Sequence, residues 1–406
     1  MSNESPAILT PISVNRDFLD VAELKGLTPA EIVRRITALS GLIAENAPLA
    51  ERLGRAVDDV WSAIRRTGVF YLFIPRRFGG FESDLQTFID VLIPIAEQCA
   101  STAWLTGFSI EHQWFVAQYP EEVQKEIWGR FPYITSAASG FPPGSATRVE
   151  GGFQVSGRWR YASGIMHADW VTPVAIVREA SGQSTPYYFL IPIEQATVLD
   201  TWKVDGMAAT GSNDFAVDKV FVPARFALNF AESVAGALHH ENPFYRMPKA
   251  PLLALLAAVP AVGAAKGAVK RFQERLKQAN PPERPVDRPL SQLALGRAEM
   301  DVSTAELVVR DTAWQLEQLA ARPHLANVDE RIRMRARLAY ATELSRDALR
   351  TLHDVGGSSA HHLSNPAQRA LRDVTMISTH AVLELGSSME LLGRVMAGLP
   401  SNNHLV

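Results

Sequence analysis

Apolar residues recur at helical spacing over roughly the first 130 residues of the chain. The first such segment, TPAEIVRRITALSGLIAENA, has Thr28 and Glu31 at the spacing of a capping box and Pro29 where a first helical turn accepts proline. Further helical patterns are RAVDDVWSAIRRTGV, DLQTFIDVLIPIAEQCA and EEVQKEIWGRF. This region predicts an N-terminal α-helical domain over residues 1–132.

The pattern then changes to short β-branched and aromatic runs separated by turns, such as DWVTPVAIV, PYYFLIPI and FAVDKVFVP. These runs predict a middle β domain over residues 133–235. The helical period returns in four long amphipathic segments that end near Ala397, and they predict a C-terminal helical bundle domain over residues 236–406. The chain is therefore mainly α with a central β domain, an order that no alternating strand-helix fold shares.

The segment RDVTMISTHAVLE, Arg372 to Glu384, is predicted as one stretch of helix. His380 shares or adjoins one face of this helix with Met376, Ile377 and Leu383, a face that should be buried. One interpretation is a core histidine whose ring nitrogens are satisfied by backbone groups. The other is a functional imidazole, and this stretch alone does not decide between them.

Composition excludes several classes of partner. The chain has 406 residues with 47% hydrophobic content and a net charge of −3, and its charges are interleaved, so we expect no nucleic acid or membrane partner. Cys99 is the only cysteine, which excludes an internal disulfide and predicts a reducing compartment, the cytoplasm. The run APLLALLAAVPAVGAA is too short for a bilayer and predicts a buried helix that begins near Pro251. The sequence has no His-Glu-x-x-His, and we expect no metal.

Four motifs in sequence resemble those of the acyl-CoA dehydrogenase fold. They are IPRRFGG, GFPPGSA, GRWRYASG and DVGGSSAHHLSNPAQRALRDV, which resemble in turn a Pro-x-x-x-Gly-Gly loop, the segment leading into the β domain, the strand that backs the flavin, and a Gly-Gly loop with its Arg-Asp helix. The resemblance covers nearly the whole chain. It implies an N-terminal helical domain, a middle β-barrel-like domain, a C-terminal four-helix bundle and a flavin site.

The departures from that fold's enzymes point to a different reaction. Their Arg-Asp helix leads to a glutamate that removes the substrate's α-proton, whereas this chain has Ala381 at that position, directly after His380. Alanine cannot accept a proton. The flavin-backing strand has Arg160, Ala162 and Ser163 where the dehydrogenases have tryptophan, threonine and asparagine.

The segments SGRWRYASGIMHADWV and STAWLTGFSIEHQW resemble instead the two-component flavin-dependent monooxygenases of the same fold. That resemblance implies an oxygenase component that takes reduced FMN or reduced FAD, by diffusion, from a separate NAD(P)H-dependent flavin reductase. With O2 it would form a flavin hydroperoxide and hydroxylate a small aromatic substrate of the phenol or indole type. C-hydroxylation, N-hydroxylation and sulfoxidation use the same intermediate.

The resemblance places Ser163, His112 and His380 around the reactive edge of the flavin as the catalytic residues. Ser163 would hydrogen-bond the central-ring nitrogen, His380 the peroxide or a flavin carbonyl, and His112 would hydrogen-bond or deprotonate a phenol or indole. The structural alternatives are a turn serine before Gly164, a core histidine and a polar residue on a helix face.

Two arginines and several aromatic residues complete the predicted site. Arg246 is positioned to reach flavin or an acidic substrate, or else to cap a helix or form an ordinary ion pair. Arg275 matches an arginine that reaches a neighbouring subunit's flavin phosphates in the dehydrogenases, but the Phe-Gly that usually follows it is absent, so FMN and FAD both stay open. Together with the amphipathic C-terminal helices, Arg275 predicts a homotetramer. The candidates for an aromatic-lined pocket are Trp104, Phe108, Trp114 and Tyr161.

Two rival functions remain. A flavin dehydrogenase with another base would hold oxidised FAD tightly and reduce it with an acyl thioester, and Ala381 argues against it. A non-catalytic relative that binds a ligand is the other, and the presence of Ser163, His112 and His380 together argues against that.

Overall fold

The computed structural model describes residues 6–12, 18–178, 182–235, 240–278 and 289–403. Within them, one set of helices precedes a mixed β-sheet in the chain and a second set follows it, which confirms the predicted fold class. The boundary predicted between residues 235 and 236 lies at the edge of a range outside the described residues.

The helices before the sheet are α1 Val21–Lys25, α2 Pro29–Ala38, α3 Ser40–Leu53, α4 Asp58–Arg65, α5 Leu85–Gln98, α6 Ala100–Val116 and α7 Glu121–Arg130. Those after it are α8 Phe230–Ala235, α9 Lys249–Gln278, α10 Pro289–Ala320, α11 Val328–Asp354, α12 Pro366–Ser378 and α13 Leu385–Met396. At the start of α2 the Thr28 hydroxyl accepts from the Glu31 N–H and Pro29 is the first helical residue, as the sequence predicts.

The strands are β1 Ile8–Leu9, β2 Ser136–Val149, β3 Gly152–Trp159, β4 Trp170–Arg178, β5 Ser184–Phe189, β6 Ile191–Pro192, β7 Thr197–Leu199, β8 Asp214–Pro223 and β9 Ala227–Asn229. They form one sheet in the order β1-β7-β8-β3-β2-β4-β5-β9, with β6 paired to β4. The β2 and β4 strands pair in parallel, and the other pairs are antiparallel.

Strand β1 lies in the region predicted to be wholly helical. Ile8 pairs with Leu199, Leu9 pairs with Val198, and the Ile12 N–H donates to the Met166 carbonyl at 2.8 Å. Two residues are too few to show an alternating pattern, and their partner strand is about 190 residues later in the chain. The sequence pattern therefore gave no signal for this strand.

Helix α9 is the central helix of the C-terminal half and begins two residues before the predicted Pro251. It packs against α5, α6, α10, α11 and α12. A Cβ at Gly263 or Gly267 would overlap α5, so these glycines let the two backbones approach closely. Its Lys249–Lys277 segment is long and apolar enough to cross a membrane, but 89% of the apolar window is buried inside the protein. That burial accounts for the apolar run.

The prediction of one continuous helix from Arg372 to Glu384 is wrong. Helix α12 ends at Ser378, and a turn precedes α13, in which the His380 carbonyl accepts from the N–H groups of Leu383 and Glu384 at 2.7 and 2.9 Å. The Glu384 carboxylate then caps α13 by accepting from its first N–H groups, at 2.7 and 2.9 Å. His380 therefore lies in a turn between two helices.

The Arg-Asp pair of α12 holds the loop between β7 and β8. The Asp373 carboxylate accepts from the Met207 N–H at 2.5 Å, while Arg372 donates to the Asp205 carbonyl and pairs with Glu51 at 2.5 Å. Burial raises the pKa of Asp373 to about 6, against the hydrogen bond from Met207, which lowers it. The loop that Asp373 fixes forms one wall of the cavity described below.

We expect Asp373→Ala to lower the free energy of unfolding at pH 7 by about 1–3 kcal/mol, because the buried Met207 N–H loses its acceptor. Asp373→Asn should cost less, since an amide oxygen can still accept. The folded carboxyl has a raised pKa, so the native state keeps a proton that the unfolded chain releases between about pH 4 and pH 6. Wild type should therefore lose stability relative to Asp373→Asn as the pH rises through that window. Denaturant unfolding at several pH values measures both effects, and equal losses for the two variants would contradict the assignment.

Candidate active site

A cavity of about 530 Å³ opens between α6, the turn after β3, the loop after β7, the start of α9 and the turn after α12. The structure brings six residues predicted for the site to its walls: Trp104, Phe108, His112, Tyr161, Ser163 and His380.

Helix α6 supplies one long wall of the cavity. Trp104, Phe108 and His112 are four residues apart, so they lie on one face and extend about 12 Å along the helix. Their rings follow one another at centroid distances of 4.8 and 6.1 Å, and the His380 ring lies 5.5 Å from Trp104. The cavity thus has two ends, one at Trp104 and one at His112.

Ser163 lies at the Trp104 end, in a turn that requires left-handed backbone at Tyr161 (φ +66°) and at Gly164 (φ +74°). Its hydroxyl accepts from the Trp104 indole N–H at 3.2 Å and contacts the Ser212 hydroxyl at 2.8 Å. Ser163 is thus a turn residue before Gly164, as in the structural alternative, and it also lines the cavity, as the functional interpretation requires.

The hydroxyl row that begins at Ser163 has a fixed direction. The Thr210 hydroxyl donates its one hydrogen to the Met207 carbonyl at 2.8 Å, so Ser212, 2.7 Å away, must donate to Thr210. Ser163 then donates to Ser212 and accepts from Trp104. Since a hydroxyl oxygen has two lone pairs, Ser163 keeps one as an acceptor. Sequence reasoning missed Thr210 and Ser212, and the polar run ATGSND was the available signal.

Arg335 of α11 fixes the turn that carries His380. Its guanidinium donates to the carbonyls of Ala381 and Val382 at 2.7 and 3.2 Å. Burial and the Arg335 charge lower the pKa of His380 to about 4, so the ring is neutral at pH 7. His380 Nδ1 accepts from the Val382 N–H at 3.4 Å, which leaves the ring hydrogen on Nε2. His380 is therefore a hydrogen-bond donor at the cavity.

The His112 end of the cavity contains two buried charged residues that sequence reasoning missed, Glu111 and Lys249. Burial raises the pKa of Glu111 to about 7, and the nearby Lys249 charge opposes that rise. Burial and the same charge lower the pKa of His112 to about 3. His112 is thus neutral and a weak base, with its Nε2 3.6 Å from Glu111 Oε2. The sequence offered two signals for these residues. Glu111 is a single acid within the apolar segment that ends EHQW, and Lys249 directly precedes the most apolar run.

Three predicted site residues are elsewhere in this chain. Arg246 donates to the backbone carbonyls of His240 and Glu241 at 2.5 and 3.1 Å and does not line the cavity. Arg275 is exposed, with its guanidinium 4.9 Å from the Phe272 ring centre. Trp114 is two positions after His112, on the other side of α6, where its indole donates to the Phe244 carbonyl at 3.0 Å. Trp114 is a core residue, which corrects its place among the pocket candidates.

Known proteins similar to this chain include two that are named as hydroxylases. The family model described as acyl-CoA dehydrogenase, C-terminal domain, matches residues 255–385. A pigment production hydroxylase of a Rhodococcus strain is 33% identical over 94% of this chain and 100% of its own. The oxygenase component of a FADH2-dependent resorcinol hydroxylase of a Rhizobium strain is 30% identical over 91% and 94%. The solved structure of XiaF from Streptomyces, in complex with FADH2 and glycerol, superposes with a TM-score of 0.86 at 28% identity, over 94% of this chain and 98% of that one.

Burial, the larger cause of the lowered pKa of His380, remains in Arg335→Met, but the variant removes a nearby positive charge and two donors that hold the turn. We therefore expect the pKa to rise from about 4 part of the way toward its ordinary value near 6.5. Titration of the imidazole signals by NMR measures the pKa, with His380→Asn identifying the His380 signal.

Arg333→Met is the matched control, since Arg333 is on the same helix with its side chain exposed. That variant should leave the His380 titration unchanged. A His380 pKa that is the same in wild type and Arg335→Met would refute the role of Arg335.

Proposed function

Since the chain belongs to the oxygenase components of the two-component flavin-dependent monooxygenases, which have the acyl-CoA dehydrogenase fold, it uses reduced flavin and O2 to hydroxylate an aromatic substrate, and we propose that the reaction takes place in the cavity between Ser163, His380 and His112. The observation that carries this proposal is their convergence on one cavity from three separate parts of the chain.

The Trp104 end of the cavity fits the edge of a reduced flavin. The free lone pair of Ser163 can accept from the central-ring N–H of the reduced ring, and His380 Nε2–H can donate to an oxygen at the same edge. Trp104, Met207 and Trp202 supply apolar surface beside these groups. When bound, the flavin supplies the activation of dioxygen and the transfer of one oxygen atom.

The residues of this chain then hold and orient the flavin and the substrate and exclude water from the cavity. Both histidines are neutral at pH 7, so they act as hydrogen-bonding groups and place no additional charge beside the flavin. His112 is about 12 Å along α6 from Trp104, which leaves room for an aromatic ring beside Phe108. We propose that His112 holds a ring hydroxyl or N–H of the substrate, while apolar residues exclude water.

The cavity wall disfavours the dehydrogenase alternative. Ala381 lines the cavity at the position of the dehydrogenase base, and Glu111 is the one acid among the described lining residues. Glu111 lies at the His112 end, about two helical turns along α6 from Trp104, which contacts Ser163, so it is not placed to act as that base beside the flavin edge.

Self-association is a further part of the proposal. Leu293, Met300, Leu307 and Trp314 recur every seven residues along α10, and each is more than half exposed. We propose that this stripe packs against a second copy in a homotetramer, in which the exposed Arg275 would reach a neighbour's flavin. We also propose that the enzyme works in the cytoplasm, in keeping with its one buried cysteine thiol, Cys99.

The experiment that tests the function supplies the protein with reduced FMN or FAD from a reductase, with O2, and with a panel of phenols and indoles. We expect a hydroxylated product from wild type. In Ser163→Ala the affinity for reduced flavin should fall by at most about tenfold, since one hydrogen bond is lost. Product per flavin oxidised should fall more than that, with the difference appearing as hydrogen peroxide.

Ser145→Ala is the control, because Ser145 is an exposed serine of β2 whose hydroxyl contacts only the Ser156 carbonyl among the described residues. It should match wild type in affinity and in peroxide release. Normal coupling in Ser163→Ala would remove Ser163 from the proposal. Tightly bound oxidised FAD that bleaches with an acyl thioester would establish the dehydrogenase instead.

We expect light scattering to give a tetramer for wild type and smaller species for Leu307→Glu, because a charge in the stripe opposes burial against another copy. Leu53→Glu replaces an exposed leucine of α3, outside the stripe, and should leave the mass unchanged. An active wild-type monomer would exclude both the tetramer and the proposed role of Arg275.

A further inference from the structure

Two buried charged residues line the His112 end of the cavity, and one oxygen of the carboxylate has no hydrogen-bond partner among the described residues. Glu111 is 2% exposed and Lys249 is 7% exposed, yet both line the cavity. Within the described residues, Glu111 Oε1 has no hydrogen-bond partner. Because buried polar atoms are nearly always paired, an unpaired carboxylate oxygen at a cavity wall indicates a ligand group that binds there.

Glu111 and Lys249 have opposite charges but make no direct ion pair among the described residues. Lys249 Nζ lies 3.4 Å from the centre of the Phe115 ring and 3.9 Å from that of Tyr188, so aromatic faces hold the ammonium group. The Lys249 charge favours the ionised form of Glu111, and Glu111 favours the charged form of Lys249. When both groups are ionised, the form that their mutual attraction favours, this end of the cavity offers one acceptor and one donor with no net charge.

A hydroxyl group is the ligand group that matches this pair. It has a hydrogen to donate to a carboxylate and lone pairs that accept from an ammonium group, so it can serve either partner of the pair. A carboxylate could use only Lys249 and would be repelled by Glu111, while an ammonium group would meet the reverse problem. Neutral His112, with one donor and one acceptor nitrogen, also suits a hydroxyl.

We propose that Glu111 and Lys249 form a subsite for a second hydroxyl group of the substrate, next to the hydroxyl that His112 holds. The substrate is then an uncharged aromatic compound with at least two hydroxyl groups. This inference rests on the proposed function and names the substrate class for the same cavity.

Anaerobic calorimetry with enzyme and reduced FMN tests the subsite, because without O2 it measures binding and no turnover. The panel is resorcinol, hydroquinone, phenol, 3-hydroxybenzoate and 4-hydroxybenzoate. We expect at least one diphenol to bind about tenfold or more tightly than phenol, the effect of one hydrogen bond to charged groups, and both acids to bind more weakly than phenol. An acid that binds more tightly than phenol, or diphenols that bind no better than phenol, would overturn the proposal.

The double variant Glu111→Gln with Lys249→Met removes both charges and leaves neither unpaired. Its diphenol preference over phenol, measured as the ratio of the two affinities in the same variant, should fall to within about threefold. Glu317→Gln, at a partly buried carboxylate of α10 away from the cavity, should keep the preference. A preference that survives the double variant would refute the subsite. If the double variant does not fold, the wild-type ranking decides alone.

Turnover separates this inference from the proposed function. Hydroxylation of a monophenol or an acid, without a diphenol preference in binding, would overturn the subsite and leave the monooxygenase function. A diphenol that binds with the expected preference but is never hydroxylated would support the subsite and overturn the reaction proposed for this cavity.

Discussion

The cavity depends on the burial of helix α6. Every residue of the helix is buried except Phe108, which is half-buried at the cavity wall. A helix without a solvent face cannot rotate or shift without disturbing its neighbours on all sides, so the positions of Trp104 and His112 are fixed by packing. The same burial makes any charge on this helix expensive, which is why Glu111 has an opposite charge on α9 nearby.

The two ends of the cavity have different polar groups, but burial controls the hydrogen bonding at both. At the Ser163 end a row of hydroxyl groups has one direction, set by the Met207 carbonyl, and it presents an acceptor without a charge. At the His112 end opposite charges are held apart in a desolvated place. Burial keeps both histidines neutral, with Arg335 adding to the effect at one and Lys249 at the other. The cavity thus controls hydrogen bonding by removing water more than by adding charge.

Much of the fold could be predicted from the sequence, because the motifs that carry the resemblance are local and occur in order. The resemblance to the monooxygenases is confirmed by the relatives, and the three residues that it placed together, Ser163, His112 and His380, line one cavity. The turn after α12 could not be predicted, because the Ala381 and Val382 carbonyls within it are bound by Arg335, which lies 46 and 47 residues earlier in the chain. Likewise the partner of Ser163 is Ser212, which is remote in sequence. Local patterns give no information on such contacts.

Strand β1 has a consequence for handling the protein. It covers one side of β7, a strand of three residues at the end of the sheet order, and the Asp200 N–H donates to the Ala7 carbonyl beside it. If the amino-terminal residues were removed or displaced by a fused tag, β7 would become an open edge with unpaired amide and carbonyl groups, the kind of surface on which sheets of different molecules join. Such a preparation would fail by slow aggregation during concentration and storage. Residues 6–12 therefore contribute to the colloidal stability of the enzyme.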